Sequence, residues 1–196
     1  TVWFTLVRLA ERIRTEGLEI VGVPTSTDTT EKATELGIPL VGLGEVEKIN
    51  LTIDGADEID GEFRMIKGGG GALLREKVVA SISDREVIVV GQEKVVDKLG
   101  TTFLLPVEVA SFALPTVSRA LIALGCEPVL RLSDPGVALK TDNGNQILDC
   151  RFPEGIDDPV ALEKELAGIP GVVESGLFID LAHVLVIGNE DGTAEV

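Results

Sequence analysis

Over the first half of the chain, short apolar runs alternate with stretches of helical period, the order expected of a layered α/β sheet with parallel strands. A stripe of Val2, Leu6, Leu9 and Ile13 predicts a buried amphipathic helix at the very start. A chain that opens inside such a helix is expected to have lost an upstream strand and loop. Residues 18–23, 38–43 and 49–53 read as three strands. Between the first two, a hydroxyl-rich loop at 24–27 precedes Asp28, and Glu31 three positions on gives capping-box spacing for a helix that stops at Gly37. Further on, 72–82 predicts a helix, 86–90 a buried strand and 93–99 a last short helix.

From about residue 103 the pattern changes. Residues 103–109 form a candidate strand, and Val117, Ala120, Leu121 and Leu124 share a face of a helix that opens at Pro115 and closes at Gly125. An extended run follows from 128, and Asn143-Gly144 between 137–140 and 146–148 is a type I′ hairpin signal. Asp158-Pro159 caps a second helix with Leu162, Leu166 and Ile169 on one face, and 172–179 supplies another strand. Strand, helix, hairpin strands, helix, strand is a ferredoxin-like α+β order. The apolar run 183–187 belongs back in the first sheet. The predicted fold is therefore α/β: a Rossmann-like layered sheet domain over 1–102 and 181–196, lacking its N-terminal strand and loop, plus a smaller ferredoxin-like α+β domain over 103–180.

Composition narrows the function classes. With 196 residues and 44% hydrophobic side chains, wholesale disorder is excluded. Seventeen Lys+Arg against 33 Asp+Glu leave a net charge of −16, which argues against nucleic acid and against an anionic membrane surface. Cys126 and Cys150 lack CxxC spacing, the chain has a single histidine, and the thiols read as buried or idle in a cytosolic protein. No apolar run approaches the ~20 residues that span a bilayer, so the chain is expected to be soluble and cytoplasmic.

Two loops stand immediately after predicted strands, where open α/β sheets hold their ligands. In Asp54-Gly55-Ala56-Asp57-Glu58, small residues between carboxylates let the backbone approach a ligand closely; an acidic turn capping the next segment is the alternative. In Lys67-Gly68-Gly69-Gly70-Gly71, four glycines before a helix offer bare amides to an anion or oxyanion. Neither the P-loop nor the GxGxxG pattern fits, and a flexible connector is the alternative. Within the helix, Leu74, Val78 and Ile82 form the expected core stripe, whereas Glu76 shares a face with Leu73 and Ala80. Desolvation there would raise its pKa into the range of a general base; an exposed charge paired to Arg75 or Lys77 is the alternative. Lys94 is either a phosphate contact or a solvated helix charge, and His183 reads as a packed strand residue.

The run Leu51-Thr52-Ile53-Asp54-Gly55-Ala56-Asp57-Glu58-Ile59-Asp60, followed by Met65-Ile66-Lys67-Gly68-Gly69-Gly70-Gly71-Ala72-Leu73-Leu74-Arg75-Glu76-Lys77, closely resembles ribose-5-phosphate isomerase of the A type. Thr141-Asp142-Asn143-Gly144-Asn145, Leu105-Pro106-Val107-Glu108-Val109 and Ile169-Pro170-Gly171-Val172-Val173 extend the resemblance almost end to end. It implies interconversion of D-ribose 5-phosphate and D-ribulose 5-phosphate in the pentose phosphate pathway, through a cis-enediolate and with no metal or organic cofactor. In that reading Glu76 is the general base, and Lys67 neutralises the oxyanion with amides of Gly68, Gly69 and Gly70. Asp54 and Asp57, with Gly55 and Ala56 between them, hold sugar hydroxyls, and Lys94 holds the phosphate. The resemblance matches the family's upstream phosphate loop at most at its last residue, Thr1, which it implies is a substrate contact. The resemblance also implies a homodimer or homotetramer. Two other readings of the same loops stay open: a Mg²⁺ site of Asp54, Asp57 and Glu58 in a phosphotransfer enzyme, and a sugar-phosphate-sensing module without turnover.

Overall fold

The computed structural model describes residues 2–189 and 191–196. Helix α1 (Val2–Glu16) packs on α2 (Thr27–Glu35), and Ala10, Ala33 and Ile38 form a small core flanked by Leu6, Leu9 and Ile13. The expected buried helix is thus only half covered: Ala10 alone is buried on α1, while Trp3 and Phe4 are exposed. The cap of α2 is Ser26, whose hydroxyl accepts the Thr29 amide, two residues before the Asp28 inferred from spacing; Asp28 instead pairs with Lys32 at 2.6 Å. The strands expected at 18–23 and 38–43 shrink to one parallel bridge, Gly22 to Leu40.

The chain then runs through β1 (Thr52–Asp54), β2 (Glu58–Ile59), β3 (Met65–Ile66), α3 (Leu73–Ser81) and β4 (Glu86–Gly91). The helix expected at 93–99 is only a 3₁₀ turn at Gln92–Lys94. Next come β5 (Leu105–Val109), α4 (Leu114–Ala123), β6 (Glu127–Leu130), β7 (Leu132–Asp134), β8 (Val137–Ala138), β9 (Gln146–Arg151), α5 (Pro159–Ala167), β10 (Val172–Ser175), β11 (Leu177–Phe178), β12 (Val184–Gly188) and β13 (Ala194–Glu195).

In the first sheet β1, β4 and β12 are parallel, and β13 adds antiparallel to β12, so the run that follows His183 does return to this sheet. The second sheet has the order β10-β5-β9-β6, all antiparallel. Numbered within the unit, that order is 4-1-3-2, the ferredoxin-like arrangement, and α4 and α5 cover its core through Val117, Leu121, Leu162 and Leu166.

The hairpin differs from expectation. A type I′ turn needs positive φ at both central residues, yet only Gly144 has it (81°), and the turn closes from the Gly144 amide to the Thr141 carbonyl. β8 pairs with β7 rather than with β9. A third sheet, β11-β3-β2, was not anticipated. It ties the second unit to the first, because Gly176 lies between β10 and β11 and lets the strand change sheets. A Cβ at Gly176 would sit 2.4 Å from the Lys67 carbonyl oxygen. The Gly176 carbonyl in turn accepts the Lys67 amide, so this crossing anchors the backbone of Lys67.

Candidate active site

The carboxyl end of β1 delivers Asp54. Its Oδ1 accepts the Gly55 amide at 2.7 Å, and its Oδ2 accepts from Lys67 Nζ at 2.8 Å. Lys67, which follows β3, is 3% exposed, and its ammonium also donates to the Gly55 carbonyl and lies 5.4 Å from the centre of the buried Phe178 ring. Burial alone would lower the lysine's pKa, but the Asp54 and Glu76 carboxylates outweigh it and hold the group above its ordinary value.

Glu76 sits in the first turn of α3. The buried face of that helix carries Leu73, Val79 and Ala80, whereas Val78 is exposed, so the stripe of Leu74, Val78 and Ile82 is not the core face. Glu76 lies on the buried side instead. Its Oε2 is 3.5 Å from Lys67 Nζ, an ion-pair separation, and this buried oxygen has no hydrogen-bond partner among the described residues. Burial pushes the Glu76 carboxyl up, Lys67 pulls it back, and Asp54 adds to the rise. The alternative of a surface charge paired to its neighbours does not hold, since Arg75 turns to Asn143 and Asp142 and Lys77 to Glu174.

The glycine loop is shaped by what it must approach. Asp57 Oδ2 accepts the Gly69 amide at 2.7 Å, and a Cβ on Gly69 would fall 2.6 Å from Asp57 Oδ1. Gly68 adopts φ of 103°, a backbone state closed to most residues. Gly69→Ala should therefore displace Asp57 and cost at least about tenfold in kcat/KM with little loss of melting temperature, because Gly69 is exposed. Steady-state kinetics beside a thermal melt read both.

These groups line a cleft of about 470 Å³ that also takes in Ala56, Gly70 and Lys94. Lys94 ends the 3₁₀ turn after β4, its ammonium 5.9 Å from the Phe103 ring centre. Thr1, the remaining expected site residue, lies outside the described residues. Glu58, grouped with the aspartates as a possible Mg²⁺ ligand, points elsewhere: its fully buried carboxylate accepts the Gly100, Thr102 and Phe103 amides. Among the described residues no three His, Cys, Asp or Glu side chains gather to hold a metal. His183, expected to be packed, is exposed and precedes β12, with Nδ1 accepting the Glu86 amide at 3.0 Å. Cys126 and Cys150 are buried free thiols.

Three contributors escaped the sequence reading. Lys32 and Trp3 line the cleft from α2 and α1. Arg131, after β6, donates to the Gly68 carbonyl at 2.8 Å and the Gly69 carbonyl at 3.1 Å, braced by Asp149. Holding those carbonyls on one side fixes the loop's opposite face toward the cleft. No signal short of the β6–β9 register marks it. Arg131→Ala should lower kcat/KM about tenfold by loosening the loop; an unchanged value would leave Arg131 a purely structural ion pair.

The model for ribose 5-phosphate isomerase A (phosphoriboisomerase A) matches residues 21–192. Ribose-5-phosphate isomerase A of Bacillus mycoides (strain KBAB4) is 47% identical over 195 residues, covering 100% of this chain and 87% of that protein. The enzyme of Gloeobacter violaceus is 49% identical over 193 residues, covering 98% and 83%. Among solved structures, ribose 5-phosphate isomerase from Plasmodium falciparum superposes with a TM-score of 0.94 at 36% identity, covering 99% of this chain and 85% of that one. A D-ribose-5-phosphate isomerase in complex with phospho-erythronic acid gives 0.94 at 35% identity, covering 98% and 84%. A buried glutamate beside a lysine, a glycine loop and two aspartates in one cleft suit proton transfer next to a carbonyl, and with these matches the chain belongs to the ribose-5-phosphate isomerase A family, aldose–ketose isomerases that interconvert D-ribose 5-phosphate and D-ribulose 5-phosphate.

Proposed function

We propose that Glu76 carries the proton between C2 and C1 of the open-chain sugar phosphate. The observation that supports this most is its buried, hydrogen-bond-free Oε2 next to the Lys67 ammonium. A carboxylate kept dry is a stronger base than one in water, and the adjacent cation keeps it ionised enough to act. Glu76 removes the C2 proton, leaving an enediolate whose two oxygens are cis. Lys67, itself buried, neutralises the charge that grows on them. Asp54 and Asp57 hold the hydroxyls, open the ring and pass the proton of O2 to O1. Glu76 then returns its proton to C1, giving the ketose. Since the Gly69 amide is engaged by Asp57, its influence on the sugar runs through that carboxylate.

Lys94, with Lys32 across the cleft, takes the phosphate in this reading. A net charge of −16 repels an anionic substrate at long range, so capture depends on these local cations. The phospho-erythronic acid bound by the structural relative supports a phosphorylated sugar acid as ligand, because a planar carboxylate matches the two-oxygen geometry of an enediolate. A cytoplasmic location and a homodimer or homotetramer belong to the same reading. Buried free thiols support the first, and exposed apolar side chains such as Phe4 and Phe112 support the second. Among the described residues no helix is long and apolar enough to cross a membrane.

Incubation with ribose 5-phosphate in heavy water tests the reaction path. An enediolate route predicts deuterium at C1 of the ribulose 5-phosphate formed, to an extent set by how fast protonated Glu76 exchanges with solvent. Complete retention of the C2 hydrogen through every turnover, with none exchanged, would favour hydride transfer instead.

A further inference from the structure

Glu86 opens β4 and is 1% exposed, with its side chain on the same inward face as Ile88 and Val90. β1 pairs with β4 in parallel, Thr52 opposite Glu86 and Asp54 opposite Ile88, so Asp54 and Glu86 project from one face of the sheet, one strand apart and two residues out of step. That is the face on which Asp54 holds the Lys67 ammonium. Glu86 Oε2 is buried with no hydrogen-bond partner, the same condition as Oε2 of Glu76. The backbone on either side is fixed, because the Glu86 amide donates to His183 Nδ1 and its carbonyl accepts the His183 amide at 2.9 Å. Nothing in the proposed proton path uses this carboxyl.

The charged and polar groups that bear on Glu86 come from several elements. From β1 comes Asp54, from α3 Glu76, from the segment after β3 Lys67, and from the segment before β12 the imidazole of His183. Asp54 Oδ2 and Glu76 Oε2 lie 2.8 and 3.5 Å from the Lys67 ammonium, and the buried Glu86 carboxyl feels the same charge from further off, without an ion pair to it. We propose that Glu86 is a positioning residue that acts on the isomerisation through Lys67: neutral, it leaves the ammonium to Asp54, Glu76 and the substrate oxyanion, and ionised, it competes for that cation and slows the reaction. Burial pushes the Glu86 carboxyl up to about 7, with Lys67 drawing it down and Asp54 and Glu76 raising it further. Its charge therefore changes near neutral pH.

The inference rests on Lys67 as the partner of the developing oxyanion. The test is kcat/KM against pH for wild type and Glu86→Gln, read as the ratio of the two profiles so that the ionisation of the substrate phosphate cancels. Wild type should fall relative to the variant by about tenfold as pH rises through about 7, most of it in kcat, where the oxyanion forms. Carbon-13 NMR of glutamate-labelled wild-type enzyme should show one buried carboxyl titrating in the same range, and this reading stands even if the variant folds poorly. A flat ratio, or no glutamate signal titrating above the ordinary carboxylate range apart from that of Glu76, would overturn the role of Glu86. Loss of the Lys67 assignment itself would show separately, as a Lys67→Met enzyme with near-normal kcat.

Discussion

Glu76→Gln should lower kcat by on the order of 10²-fold or more while leaving the fold and the binding of a phosphorylated sugar acid intact. The amide matches the carboxylate in size, so Leu73, Val79 and Ala80 keep their packing around the first turns of α3. What it lacks is basicity. The substitution also leaves Lys67 with Asp54 as its close partner, so the buried ammonium remains paired at 2.8 Å. In wild type, burial holds the Glu76 carboxyl above the ordinary carboxylate range, and the acid limb of kcat/KM should lie above that range too. Wild-type-like turnover in the glutamine variant would move the base to another residue.

Lys67→Met should be costlier, because it harms both rate and stability. Removing the cation at the oxyanion should cost on the order of 10²–10³-fold in kcat. It also strands Asp54 and Glu76 without their common partner, and breaking a buried ion pair from one side costs about 3–5 kcal/mol. The pH dependence gives the cause away. Without the ammonium that draws them down, Glu76 and Glu86 rise further above their unfolded values, so the folded variant keeps protons that the unfolded chain has released. Stability then falls as pH rises through that window, and the deficit against wild type should be smaller at about pH 5 than at about pH 8. Denaturant melts at the two pH values measure it. An equal deficit at both would point to lost packing against Phe178 rather than to stranded charge.

How far the sequence could be read depended on whether the cue was local. Asp54, Asp57, Lys67 and Glu76 lie within one stretch of strand ends and a helix start, and the structure brings all four to one cleft. The order of the second unit was legible because each strand and helix there carries its own period and cap, as Asp158 does for α5. The hairpin was misjudged because Asn143 and Gly144 favour a type I′ turn in isolation, whereas Glu108 Oε1 accepts from Thr141, Asn143 and Asn145 and draws the turn into another form. The third sheet is built of two-residue strands, too short for any period. Arg131 and Glu86 were passed over for a related reason: one reads as a strand-end charge and the other as the opening of an apolar strand, and only cross-strand register shows what each faces.

The decisive measurement is solvent exchange by Glu76→Gln in heavy water, followed on the C2 hydrogen of ribose 5-phosphate and on C1 of ribulose 5-phosphate, with binding of phospho-erythronic acid measured on the same preparation. If Glu76 carries the proton, exchange and isomerisation fall together by at least about two orders of magnitude while the acid still binds. Exchange at close to the wild-type rate in a variant that binds the acid normally would contradict that assignment.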